Sequence, residues 1–194
     1  AFGIASLLSN AKLRASTFWR TLLMVPNITS VLAVAIVFQQ LFGRYFGMVN
    51  VILHYLHVHP IEWTADTLPS HTAIATMINW RWLGYNSLIF LAAILAIPKE
   101  LYESSSLDGA SRWQTVRYVT IPQMKNTITF MIIMGTIGGL GLFVEPLTYG
   151  GGFDGGANSQ FLTLTLYLYK QAFMNQRLGY GAAIGVGITL VVII

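Results

Sequence analysis

Residues 21–42 read TLLMVPNITSVLAVAIVFQQLF, 22 consecutive positions without a charge. A hydrocarbon core about 30 Å thick is crossed by roughly 20 apolar residues of helix, so this stretch predicts one full membrane span. Working outward, residues 72–97 predict a second span of 26 residues interrupted by Arg81, residues 126–144 a third with 19 uncharged positions, and residues 178–194 the start of a fourth. Residues 1–10 then form the tail of an earlier span, which implies a chain cut through helices at both ends. Every backbone amide must find a partner inside lipid, so the spans are helices. The expected fold class is all-α: a polytopic transmembrane helical bundle forming a single domain over residues 1–194, with three full and two partial spans.

Composition agrees. The chain is 55% hydrophobic and 9% charged, against roughly a quarter charged in a soluble domain. The net charge of +4 comes from few basic residues that flank apolar segments, which suits anchoring at a membrane face and leaves no surface for nucleic acid. Cysteine is absent, which excludes thiol redox chemistry, thiolate metal sites and a cysteine nucleophile.

Cytoplasmic loops carry an excess of Lys and Arg. Lys12, Arg14 and Arg20 precede the first full span, and Lys99, Arg112, Arg117 and Lys125 separate the second from the third, so those segments, including residues 98–125, are read as cytoplasmic. The opposite loops hold Arg44, Lys170 and Arg177 with the acids Glu62, Asp66, Glu145 and Asp154, and are read as external. The glycines at 150, 151, 152, 155 and 156 give the second external loop a flexible or tightly turning backbone. After it, Leu162, Leu164, Leu166 and Leu168 alternate with Thr163, Thr165, Tyr167 and Tyr169 like a strand. A lone strand has no ladder partner in such a bundle, so a short interfacial helix is expected instead.

The segment 98–122 reads PKELYESSSLDGASRWQTVRYVTIP. Pro98 opens a helix, the acids Glu100 and Glu103 near its start suit the macrodipole, and Asp108 with Gly109 ends it and caps another. Two short helices joined by a turn are expected, the second presenting Trp113 and Val116, with Tyr118 and Ile121, as an apolar face suited to a groove. Glu103-Ser104-Ser105, three residues, Gly109, nine residues, then Val119-Thr120-Ile121-Pro122 resembles the "EAA" loop of ABC importer permeases. It departs from that pattern in the serines at 104 and 105, where the family has alanines, and in Val119-Thr120-Ile121-Pro122, where it usually has Ile-x-Leu-Pro. Upstream FWRTLLMVPNITSVLAVAIVFQQLF, GMVN and GYNSLIFLAAILAIPKELYE, and downstream YGGG and LGYGAAIGVGI, are similar to carbohydrate permeases of the maltose-importer type, especially its F-type half.

The resemblance implies an inner-membrane subunit of a bacterial or archaeal cell that moves a sugar or related solute inward by alternating access. Its implied partners are a second permease subunit in a heterodimer, cytoplasmic ATP-binding subunits, an extracytoplasmic solute-binding protein and the lipid bilayer. The loop residues Glu100, Glu103, Asp108, Gly109, Ala110, Trp113 and Pro122 are implied to couple the permease to the ATPase. The residues themselves agree: no Gly-x-x-x-x-Gly-Lys-Ser/Thr loop is present, so ATP hydrolysis belongs to a partner chain and no catalytic residue is expected here.

Candidates for the translocation path are Asn79, Trp80, Arg81, Tyr85 and Asn86. A charge at membrane depth costs on the order of 3 kcal/mol, so Arg81 either faces a path or snorkels to the outer interface beside an aromatic belt. Asn27, Thr29, Ser30, Gln39 and Gln40 are read mostly as interhelical hydrogen-bonding groups, and Gly135 with Gly139 and Gly181 with Gly185 as packing devices. His54, His57, His59 and His71 match no zinc spacing, so no metal or other cofactor is expected; the preferred reading is an interfacial helix near residues 51–58. Two other classes fit a polytopic chain: a membrane-embedded enzyme using the histidines or the charges of Arg81 and Glu145, and an ion-coupled secondary transporter.

Overall fold

The computed structural model describes residues 1–9 and 16–193, so Lys12 and Arg14 lie outside the described residues. Among these residues every regular element is helical. In chain order they are α1 (Phe2–Leu8), α2 (Ser16–Ile28), α3 (Val31–Leu41), α4 (Met48–Tyr55), α5 (Thr67–Leu95) and α6 (Lys99–Leu107), then α7 (Arg112–Thr115), α8 (Ile121–Gln123), α9 (Lys125–Leu140), α10 (Val144–Tyr149), α11 (Leu164–Tyr169) and α12 (Leu178–Ile193). Wider π turns follow α7 at Val116–Thr120 and α11 at Lys170–Met174.

The span boundaries differ from expectation. Residues 21–42 are two helices broken at Thr29 and Ser30. Pro26 sits inside α2 and is tolerated there; the break comes where Asn27, Thr29 and Ser30 bring three short polar side chains that compete with the helix for its own backbone groups. Ser30 takes an extended ψ of 128° and occupies the N-cap position of α3. The second span is α5, whose 29 residues reach about 43 Å. The third stops at Leu140, where Gly138, Gly139 and Gly141 weaken helix continuation. No single described helix is both long and apolar enough to cross a membrane alone; α2 with α3, and α5 with α6, meet the requirement as bent pairs.

The chain packs as two compact units. The first comprises Ala1–Ile28 and Trp80–Gly135. Its core joins Ala5 and Leu8 of α1 to Leu91 and Ile94 of α5, Ile97 just beyond it, and Met124 at the start of α9, with Leu101 and Tyr102 of α6 packed alongside. The buried row of α5 here is Arg81, Gly84, Ser87, Leu91 and Ile94, spaced as one helix face. Gly84 marks the closest approach: a Cβ built on it would lie 1.7 Å from the carbonyl oxygen of Leu23 in α2. Only hydrogen fits there.

The second unit comprises Thr29–Asn79 and Thr136–Ile194. Val34, Ala35 and Phe38 of α3, with Phe42, meet Ala73 and Met77 of α5, Tyr149 of α10 and Phe161. Buried Asn50 of α4 ties down the 43–63 loop. Its amide donates to the carbonyls of Arg44 (2.8 Å) and Ile61 (3.0 Å), and its Oδ1 accepts from the Ile61 amide (3.1 Å) and the Trp63 indole (3.0 Å). The interfacial helix expected near residues 51–58 is α4, displaced three residues toward the N-terminus. Arg44 pairs with Glu62 and Lys170 with Asp154, which neutralises two of the three basic residues read as external.

Residues 164–169 are helical, as α11, in spite of the alternation. Thr163 caps α11 by accepting from the Leu166 amide. The hydroxyls of Thr163 and Thr165 donate to the carbonyls of Leu142 and Leu140, both at 2.7 Å. The threonines thus satisfy carbonyls that the end of α9 leaves without helical partners. The glycine-rich loop is tightly turning: Gly155 and Gly156 take φ of 73° and 74°, and the Gly155 carbonyl accepts from the Phe161 amide at 2.9 Å.

Candidate functional site

The segment after α5 folds back as a helical hairpin. Pro98 occupies the N-cap position of α6, with Glu100 in the first turn. The helix ends in a six-residue return: Ala110 donates its amide to the Ser105 carbonyl (3.0 Å), Gly109 to Ser106 (3.1 Å), and Gly109 takes φ of 72°. That pairing is a Schellman motif, which needs the left-handed conformation glycine adopts without strain. The cap of the second helix is Ser111, not the expected Asp108, which instead ends α6. The Ser111 amide donates to Gln114 Oε1 (2.7 Å) and the Gln114 amide to Ser111 Oγ (3.4 Å), a reciprocal capping box. The Ser-x-x-Gln spacing that specifies it is legible at residues 111–114.

The second helix is not a separate short rod. After α7 the chain widens into the π turn, where the Ile121 amide donates to the Val116 carbonyl. It then enters α8 at Ile121 with Pro122 next, and continues through a turn at Met124 into α9. Pro122 has no amide for the carbonyl four residues back, and a π turn is a form in which a helix absorbs such a lost bond. Two hydroxyl contacts cross between the arms: Tyr102 with Thr120 (3.3 Å) and Ser105 with Thr115 (3.4 Å). These four residues, along with Ser111 and Gln114, escaped the sequence reading as site residues.

Placement of the expected coupling residues is uniform in one respect. Glu100, Glu103, Asp108 and Gly109 are all exposed on α6 or its turn, Ala110 is half-buried, and Pro122 is exposed on α8. At the far end Leu107 is 88% and Trp113 70% exposed, and Tyr118, in the π turn of the second arm, is 69% exposed. Val116 leaves the expected apolar face and lines a cavity of about 510 Å³ between the arms and the ends of α1 and α5. The root is different: Met124 is 1% exposed in the first unit's core.

The path candidates are not brought together. Asn79 turns its amide back to the Ala75 carbonyl of its own helix (2.8 Å). Trp80 and Tyr85 are exposed, Asn86 is half-buried, and none of the five lines the cavity. Arg81 is 6% exposed, with its guanidinium 6.0 Å from the Trp82 ring, which in turn stacks edge-on against Tyr85. Among the packing glycines, Gly181 meets Ala172 and Gly185 meets Leu168, but a Cβ built on Gly135 or Gly139 has no atom of another described element within 4 Å. Among the described residues no three His, Asp or Glu side chains converge as metal ligands.

A family model described as "Binding-protein-dependent transport system inner membrane component" matches residues 1–194. The chain belongs to that family. A transport-system inner membrane component is a multi-pass membrane protein, and this one has its all-α fold. It is 37% identical over 97% of its length to the lactose transport system permease protein LacF of Rhizobium radiobacter. It is 33% identical over 98% to the arabinooligosaccharides transport system permease protein AraP of Halalkalibacterium halodurans. The chain spans 64% and 60% of the lengths of those two relatives. The crystal structure of a bacterial ABC transporter involved in alginate import shares its fold, with a TM-score of 0.80 at 21% identity, covering 99% of this chain and 67% of that one.

Proposed function

We propose that the inner membrane component is a permease subunit of an ATP-driven, binding-protein-dependent importer, and that it carries a carbohydrate inward. The observation that supports this reading best is the hairpin: its root is locked into a buried core at Met124 while Leu107 and Trp113 stand exposed at its far end. A stiff element with one end packed and the other apolar and uncovered passes on a rigid-body displacement. The seat for that end is a groove in a separate cytoplasmic ATPase subunit. Relatives described as permeases for lactose, arabinooligosaccharides and diacetylchitobiose support a sugar as cargo. One such relative structure was solved with an alginate pentasaccharide-bound periplasmic protein, which supports an external solute-binding partner. A second permease subunit completes the pathway. The burial of Arg81 supports an interior position for its charge, with Trp80, Tyr85 and Asn86 supplied by the same turns of α5.

Residues 1–194 hold no cysteine, so in a full-length protein and neighbours freed of any other cysteine Leu107→Cys and Trp113→Cys each present a single thiol. In inside-out vesicles of the full-length protein with its neighbours, both thiols cross-link to the ATPase subunit and solute stimulates ATP hydrolysis. Labelling of either thiol from the outer face, or a complex that transports without ATP, overturns the reading.

A further inference from the structure

The cavity between the hairpin arms has a one-sided chemistry. Its polar lining includes the cations Lys99 and Arg112 and the hydroxyls of Tyr102, Ser105, Thr115 and Thr120, and among the described residues no Asp or Glu lines it. The acids of the hairpin, Glu100, Glu103 and Asp108, are exposed and none of them lines the cavity. Its volume, about 510 Å³, lies in the ~300–1,000 Å³ range of small-ligand pockets. The hydroxyls are not all spent. Ser105 and Thr115 already donate to the carbonyls of Tyr102 and Ser111, and so have no proton left for a ligand. The contact between Tyr102 and Thr120 uses one proton and leaves the other hydroxyl a donor. Ile94 and Ile97 supply an apolar wall.

We propose that this cavity binds a phosphate-bearing anion, with the phosphate oxygens held by Lys99, Arg112 and the Tyr102–Thr120 pair. Lys99 and Arg112, both exposed and with no acid paired to them among the described residues, share one lining with hydroxyl groups and so match the charge and the acceptors of a phosphate. The apolar wall next to them suits an ester whose other half is not charged. Two sources present that group at the inner face of a membrane: an anionic phospholipid headgroup, of the kind basic pockets between helices bind, and a soluble phosphate ester. Occupancy would brace α6 against the second arm, so the site sits where it can set the stiffness of the hairpin. The lining chemistry stands apart from which solute is carried; only the assignment to the inner leaflet rests on the sidedness proposed above.

The test uses the full-length protein in its complex, purified and delipidated, with two arms. Native mass spectrometry counts retained phosphatidylglycerol against phosphatidylcholine, and a thermal-shift titration follows inorganic phosphate. Binding in the first arm assigns a headgroup and binding in the second a soluble ester. In either case Lys99→Gln with Arg112→Gln weakens it by at least about tenfold, while Lys99→Arg with Arg112→Lys restores it and Lys125→Gln changes nothing. Because the phosphate arm is run in detergent, it reads the cavity whatever the sidedness. The proposal is overturned if neither arm shows binding, or if binding is indifferent to the Lys99 and Arg112 double substitution in a complex that is otherwise assembled.

Discussion

Gly109 offers a graded test of whether the turn between the hairpin arms matters to coupling. Its φ of 72° is left-handed, and a Cβ built on it has nothing within 4 Å, so substitution there costs backbone conformation and no steric clash. For alanine that cost is about 1–2 kcal/mol, a factor of about 5–30 in the population of the closed turn. Asparagine visits the left-handed region more readily and costs less. Proline cannot reach the conformation, and it also removes the amide that donates to Ser106 at 3.1 Å, so the return must be rebuilt. The assay is solute uptake per ATP hydrolysed by the full-length complex in proteoliposomes, with hydrogen exchange at the Ala110 amide as the local readout. Uptake per ATP should fall in the order glycine, asparagine, alanine, proline, and exchange at Ala110 should rise by the same factor of about 5–30 in Gly109→Ala. Equal membrane levels across the series separate coupling from folding. Wild-type coupling in Gly109→Pro, or alanine and asparagine equally damaging, refutes the reasoning.

Three further outcomes follow from the packing. Gly84→Ala drives a methyl group into the Leu23 carbonyl and should cost at least about 1–3 kcal/mol, read as a lower melting temperature in detergent, whereas Gly135→Ala meets no other described element and gains up to about 1 kcal/mol of helix propensity. Asn50→Ala leaves the Trp63 indole and the Ile61 amide without their acceptor, and with the lost donor bonds should cost about 2–4 kcal/mol locally, seen as faster proteolysis within residues 43–63. Glu103→Lys reverses an exposed charge on α6 and should lower uptake per ATP without lowering the amount of subunit in the membrane; normal uptake would remove Glu103 from the coupling role.

What could be read from the residues divides by the kind of interaction. Pro98, the Asp108-Gly109 stop and the helical state of residues 164–169 were legible because they depend on the local chain: a fixed φ, a permissive φ, and the lack of a ladder partner. The cap at Ser111 is equally local, written in the Ser-x-x-Gln spacing of residues 111–114, whereas the Asp-Gly pair three residues earlier marks only the end of α6. The break at Thr29 and Ser30 was missed because counting charges treats an uncharged polar residue as apolar, although such side chains are the ones that compete for helix hydrogen bonds. Glycine pairs four apart pointed to Gly135 and Gly139, which meet no other described element, and passed over Gly84, whose partner is the backbone of α2. Spacing within one helix reports what a residue permits; which neighbour uses that permission depends on contacts remote in sequence, as does the Asn50 network that GMVN contains.

The two arms of the hairpin are joined in three different ways, and the differences bear on how it transmits movement. At the turn, the Schellman and capping-box hydrogen bonds lie within a few residues and hold the arms by backbone geometry. Midway, Ser105 and Thr115 approach to 3.4 Å but each donates its proton to a backbone carbonyl of its own arm, and the contact of Tyr102 with Thr120 is long at 3.3 Å. At the root, Ile97, Leu101, Tyr102 and Met124 are held by apolar packing, which is non-directional and tolerates small rotations better than a hydrogen bond does. The π turn, Val116–Thr120, starts beside Thr115 and ends at Thr120, so it spans the middle contacts on the second arm only, just ahead of Pro122, which removes a helical bond. A force applied at Trp113 therefore meets a stiff turn, a weakly bridged middle and a helix with one wide turn. Bending should concentrate at residues 116–122, while α6, with no such interruption, acts as the strut.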